Sequence, residues 1–195
     1  MKLLLHICCA PCCLYPVKQF KNEGIDFDGF WYNPNIHPFL EYSKRRLETI
    51  HLSEILGFKL AQYDTYNLEM WLQIALSDFK NRCEYCYRSR LETTAKFALA
   101  NGYDAFTTTL LYSKYQNHTL IKSICEEIST KLCIAFYYQD FRIGWNQGIE
   151  LSRKYNIYRQ QYCGCVFSEY DRFKDDAEKY LAKHEWNYAK KDKIS

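Results

Sequence analysis

The chain places four thiols within six positions, Cys8, Cys9, Cys12 and Cys13, in the stretch HICCAPCC. Thiols so spaced can bind a metal, do redox chemistry, or pack as small buried groups. A second group, Cys83-Glu84-Tyr85-Cys86, has the Cys-x-x-Cys spacing that lets two sulfurs approach one centre. Two thiolates from each group make four, a set that suits structural zinc or an iron–sulfur cluster. The first group alone carries as many thiols as a tetrahedral zinc takes, and zinc usually supports small domains that lack a core of their own. A chain of 195 residues can bury a core without it. These points favour iron–sulfur and leave zinc open. The third group is Tyr162-Cys163-Gly164-Cys165. A Cys-x-Cys ring departs from relaxed disulfide geometry and is readily reduced, which suits a redox-active pair. Extra metal ligands are the alternative. Cys125 and Cys133 stand alone in an expected helix and strand and read as ordinary buried residues.

The elements that must position these thiols can be read from periodicity and punctuation. Residues 2–7 form a short apolar run that reads as a buried strand ending at the first cysteines. Helical spacing covers residues 14–22, 38–56, 68–79, 84–101, 117–131, 148–155 and 168–183, with Gly24, Gly57 and Gly102 as plausible stops. Strands are expected at 25–32, 58–63, 104–110 and 132–138. Strands alternating with helices to about residue 138 imply an α/β layer fold with a mostly parallel sheet flanked by helices. The expected organisation is a single α/β domain over 1–195, with a core at about 1–140 and a mainly helical C-terminal extension at about 141–195 carrying the CGC motif. In open α/β sheets ligands bind beyond the carboxyl ends of the strands. Cys8–Cys13 fall there, where nucleotide-binding proteins usually carry a glycine-rich loop.

Composition limits the partners. No signal-peptide pattern is present, and no stretch reaches the roughly 18 apolar residues of a membrane span. A cytoplasmic protein without a membrane partner is the expectation, and in that compartment structural disulfides are rare. The net charge of +3 says little about nucleic acid by itself. Basic residues do bunch at Lys44, Arg45 and Arg46, at Lys80, Arg82, Arg88 and Arg90, at Arg153, Lys154 and Arg159, and at Lys190, Lys191 and Lys193. Each bunch can equally be a solvated helix face.

Together the motifs HICCAPC (residues 6–12), YNPNIHP (32–38), RCEYCYRSRL (82–91) and YCGCVFSE (162–169) resemble those of the epoxyqueuosine reductases of the QueH type. The resemblance covers most of the chain. It implies a Rossmann-like (HUP-type) fold and a [4Fe–4S] cluster held by Cys8, Cys9, Cys83 and Cys86. It implies a redox-active disulfide between Cys163 and Cys165. The implied reaction is the last step of queuosine synthesis, in which the epoxide of epoxyqueuosine is reduced at the wobble position of tRNA without cobalamin. Nothing in the resemblance assigns a role to Cys13.

Reducing an epoxide to an alkene takes two electrons and two protons and releases water, and an iron–sulfur cluster passes one electron at a time. A second redox element or a second metal ion would help, and the candidates are the Cys163/Cys165 dithiol and the uncommitted Cys12, as a metal ligand or substrate-facing thiol. His6, His37 and Tyr32 are candidate proton donors, though a lone histidine is more often structural. Base stacking on an aromatic side chain suits a wobble base, and Tyr32, Tyr42, Tyr85 and Tyr87 are the first candidates. Tyr32, Asn33, His37, Arg45 and Arg46 are the expected substrate contacts. The partners are tRNA carrying epoxyqueuosine and an unidentified electron donor. The competing readings are a non-catalytic zinc protein that binds RNA and a generic thiol oxidoreductase.

Overall fold

Strand β1 (Lys2–His6) is the centre from which the sheet grows, because its Leu3, Leu4 and Leu5 are fully buried and leave both faces apolar. The computed structural model describes the backbone of residues 1–191 and side chains through His184. The expected basic tail of Lys190, Lys191 and Lys193 lies outside the described side chains.

Five strands form one sheet in the order β3-β2-β1-β4-β5, every pair parallel. They are β1, β2 (Asp26–Trp31), β3 (Leu60–Gln62), β4 (Ala105–Thr108) and β5 (Ala135–Phe136). Parallel neighbours require crossover connections, which the helices supply. These are α1 (Ala10–Glu23), α2 (Phe39–Leu56), α3 (Leu68–Ser77), α4 (Arg82–Ala100) and α5 (His118–Leu132), followed by α6 (Trp145–Lys154) and α7 (Val166–Lys191). Helix α1 packs against α6, while α4 packs against α5 and against β1 and β4. The chain leaves β1 toward β2 and later returns to β4 on its other side, so the strand order reverses between β1 and β4. That switch point is where a parallel sheet opens a crevice at its carboxyl edge.

Of the expected boundaries that move, two bear on cysteines. Helix α1 begins at Ala10 rather than near residue 14, because Pro11 sits in its first turn, where a missing N–H costs nothing. The last strand shrinks to Ala135–Phe136, since α5 runs through Leu132 and ends on Cys133 in the left-handed conformation (φ 53°). That places Cys133 on the surface: it is exposed, not buried as expected, while Cys125 is fully buried.

Candidate metal and redox site

The first cysteine group is positioned by the main chain. Cys9 is the extended residue that caps α1, and Cys12 lies one turn into the helix, so the two share a face at three-residue spacing. Cys8 leaves β1 at the switch point, where its N–H donates to Thr109 Oγ1 (3.0 Å) just beyond β4. The sulfurs of Cys8, Cys9 and Cys12 all lie within 4.8 Å of one another, and Cys8 Sγ is 3.8 Å from Cys9 Sγ. Cys13 points away: it is fully buried in the core and its thiol donates to Ala10 O (3.3 Å).

The three thiols shift one another in opposite directions. Hydrogen bonds from Cys12 and Cys9, with Thr109 adding a third (3.2 Å), hold the Cys8 thiol well below its ordinary range. Burial pushes Cys9 up, and its hydrogen bond to Cys8 pushes Cys12 up. A lowered Cys8 thus sits beside two raised thiols at the positive end of a helix, a setting that favours anionic sulfur. Three soft donors this close fit a thiophilic metal centre better than an oxygen-seeking cation. Gln160 Nε2 donates to Cys9 Sγ (2.8 Å), while Gln160 Oε1 is enclosed without a partner.

Cys83 and Cys86 occupy the first turn of α4 and lie outside the group of three sulfurs. Burial raises both, Cys86 to about 12. Arg90 links the two groups. Its buried guanidinium donates from Nη2 to Cys86 Sγ (3.1 Å) and from Nε to Cys86 O (3.0 Å). The same side chain lines a cavity of about 550 Å³ whose floor is Cys8, Cys9 and Cys12. Cys86 instead faces a smaller space of about 50 Å³ walled by Tyr32, Asn35 and Trp71.

Cys163 stands on the wall of the large cavity and accepts from Gln116 Nε2 (3.2 Å). Cys165, just before α7, accepts from Ser168 N (3.4 Å). Both are unpaired thiols in this structure, Cys163 exposed and Cys165 half-buried. Their loop rests on the 32–38 segment. His37 N donates to Gly164 O (2.8 Å) and Tyr162 Oη donates to His37 O (2.8 Å). At Gly164 φ is 153°, and an added Cβ would lie 3.2 Å from both Asn35 and Ile36 and 3.3 Å from Arg45, so glycine is required. Arg45, nearly fully buried, donates to Cys163 O (2.7 Å), Tyr162 O (3.2 Å) and Glu41 (2.7 Å).

The family profile of epoxyqueuosine reductase QueH matches residues 3–171. The epoxyqueuosine reductase QueH of Dehalococcoides mccartyi is 37% identical over 172 residues, covering 88% of this chain and 94% of the relative. That of Thermotoga maritima is 37% identical over 186 residues, covering 90% and 94%. This chain belongs to the QueH family of epoxyqueuosine reductases. The fold has a solved counterpart in a protein described as a predicted subunit of tRNA methyltransferase from Methanocaldococcus jannaschii. The TM-score is 0.55 at 15% identity, covering 78% of this chain and 74% of that one.

Within this QueH chain the other expected contacts are placed as follows. The ring of buried His6 bridges Thr108 Oγ1 (2.9 Å) and Tyr32 O (3.2 Å), and burial lowers its pKa to about 4. Asn33 Nδ2 ties down Ile7 O (2.9 Å). His37 is sealed against Trp71 (4.8 Å) and Tyr66 (5.8 Å), with neither ring nitrogen bonded. Arg46 makes a fork onto Asp64, 2.6 Å to each oxygen. Tyr32 stacks on Tyr63 (5.3 Å), Tyr42 donates to Asp64 (3.1 Å), and Tyr87 donates to Gln116 (2.7 Å). The aromatic residues that line the cysteine cavity are instead Tyr115, Trp145 and Tyr162. Arg90, Gln116 and Gln160 are site residues that no motif reading singled out for this role.

Proposed function

We propose that this chain reduces the epoxide of epoxyqueuosine at the wobble position of tRNA, in the cytoplasm and without cobalamin. One observation carries the reading: in a chain of this family, three soft donors form the floor of a cavity large enough for a modified nucleoside, with a redox-capable thiol on its wall. The proposed ligands of a [4Fe–4S] cluster are Cys8, Cys9, Cys83 and Cys86, with Cys12 as the thiol left for a second metal ion or for the substrate. Such a cluster would supply electrons singly, at a potential tuned by hydrogen bonds to its sulfurs.

The chain's own groups account for the rest. Cys163 and Cys165 hold two electrons and two protons as a dithiol. Closing them to a disulfide while the epoxide becomes an alkene releases one water and balances the reaction. A reductant of the thiol or electron-carrier class must then reopen the pair. Gln116 fixes Cys163 toward the cavity, and Arg45 fixes the backbone behind it. Gln160 orients Cys9. Arg90 offsets negative charge gathered on sulfur.

The variant Cys165→Ser tests this reading. It should keep its iron and its tRNA affinity but lose turnover, because one thiol alone cannot supply two electrons by closing a disulfide. Lost iron would make Cys165 a ligand. Full multiple turnover with both Cys163 and Cys165 replaced would refute the dithiol role.

A further inference from the structure

Tyr115 is 87% exposed, more than any other large apolar or aromatic side chain among the described residues. A ring left in water contributes little to folding. Its surroundings nevertheless hold it in place. Tyr115 N donates to Ser113 Oγ (3.2 Å) in the turn after β4. The next residue, Gln116, is pinned between the Tyr87 hydroxyl (2.7 Å) and Cys163 Sγ (3.2 Å). The turn that presents Tyr115 is therefore tied to the redox loop.

Trp145 stands beside it, edge-on at 5.6 Å and 76°. The indole is fixed from beneath by buried Tyr112, stacked at 5.2 Å and 26°. Tyr112 Oη donates to Trp145 O (3.0 Å), and the Tyr112 hydroxyl lies so close to α6 that a Cβ on Gly148 would overlap it. Exposed Lys114 has its ammonium 5.7 Å from the indole centre. Tyr115, Trp145 and exposed Arg172 line the same cavity as Cys8, Cys9 and Cys12. One rigid aromatic face, one free ring and the Arg172 cation thus line a thiol-floored cavity, with the Lys114 cation beside the indole.

We infer that Tyr115 and Trp145 form the stacking clamp for the nucleobase whose modification reaches the cysteine floor, with Lys114 and Arg172 on the flanking phosphates. This deepens the proposed function and rests on its reading that the substrate is a nucleotide of single-stranded RNA. A base has a π-face whatever its sequence, so aromatic stacking recognises it, and cations beside the ring meet the backbone. The clamp also explains why the buried Tyr42 and Tyr87 are poorly placed to stack a base.

Two readouts on metal-loaded protein test the clamp. The first is binding of an unmodified anticodon stem-loop, followed by quenching of tryptophan fluorescence and by titration. Tyr115→Ala should weaken it by about 10-fold or more, and Tyr115→Phe should recover affinity to within about threefold of the wild type. The double variant Lys114→Ala/Arg172→Ala should lower the steepness of the salt dependence. The second is turnover of epoxyqueuosine tRNA, where Tyr115→Ala should raise KM about 10-fold while kcat falls less than about threefold. Unchanged stem-loop affinity and KM in Tyr115→Ala would overturn the clamp and leave the reductase reading intact. Stem-loop binding lost in Tyr115→Ala, in a wild type that reduces nothing, would uphold the clamp and refute the reductase reading.

Discussion

The two cysteine-bearing regions at the cavity are held by opposite means. Cys8, Cys9 and Cys12 are placed by main chain: the end of the central strand, a helix cap, and one helical turn. Cys163 and Cys165 sit in a loop held largely by side chains, Arg45 from α2 and Gln116 from the turn after β4, together with neighbouring Ser168 and one main-chain bond from His37 N to Gly164 O. A floor built from backbone cannot move without breaking the sheet. A wall built from side-chain contacts can shift by small amounts. That division suits a site in which a metal centre stays fixed while a dithiol opens and closes.

The largest effect should come from the floor. Replacing Cys9 by Ser should strip the metal and lower turnover at least about 100-fold, whereas Cys13→Ala, one residue from Cys12 but facing the core, should keep its metal. Iron analysis of both proteins sets ligand against neighbour, and equal iron in the two would erase the distinction. For the wall, Arg45→Met should cost on the order of 3 kcal/mol, because it takes the buried guanidinium from the Tyr162 and Cys163 carbonyls and from Glu41, which keeps only the Tyr158 hydroxyl. Denaturant unfolding measures that loss, and alkylation of Cys163 should quicken at the same time.

Acid should loosen the wall's support in a defined window. Burial lowers the pKa of His37 from 6.5 to about 4. Between those values the unfolded chain takes up a proton that the folded chain refuses, so stability falls as pH drops from about 6.5 toward 4. The loss from His37 is on the order of 2 kcal/mol, and His37→Phe should remove that share of the fall, leaving the share of His6, whose pKa is lowered over the same window. The smallest effect is expected at Arg46, whose fork onto Asp64 lies at the surface. Arg46→Ala should cost less than about 1 kcal/mol. A loss as large as that of its neighbour Arg45 would undo the contrast between them.

What could be read beforehand follows the same division. The apolar run of β1, the strand–helix alternation and the cysteines at a strand's carboxyl end are local signals, and they located the floor. Arg45 is different. It sits in a basic run that suggests a phosphate patch, yet it shares a helical face with Tyr42, Thr49 and Leu52, all buried. That spacing of 3, 4 and 7 residues was the available sign that Arg45 points inward. Tyr87, Arg90, Leu91 and Thr94 repeat the pattern in α4. The Tyr115–Trp145 pair had no such sign. Its members lie on separate elements, and only the return of the chain to β4 and the packing of α6 on α1 bring them to one rim.

The most direct measurement is the conversion of the nucleoside itself. Anaerobically metal-loaded protein with a chemical reductant would be incubated with tRNA from cells unable to complete queuosine synthesis, and the digested nucleosides resolved by mass spectrometry. The expected result is loss of one oxygen from epoxyqueuosine to give queuosine, abolished by Cys9→Ser and lost in Cys165→Ser, which has no second thiol to close. Epoxyqueuosine persisting unchanged with fully metal-loaded, tRNA-binding protein would contradict the proposed function.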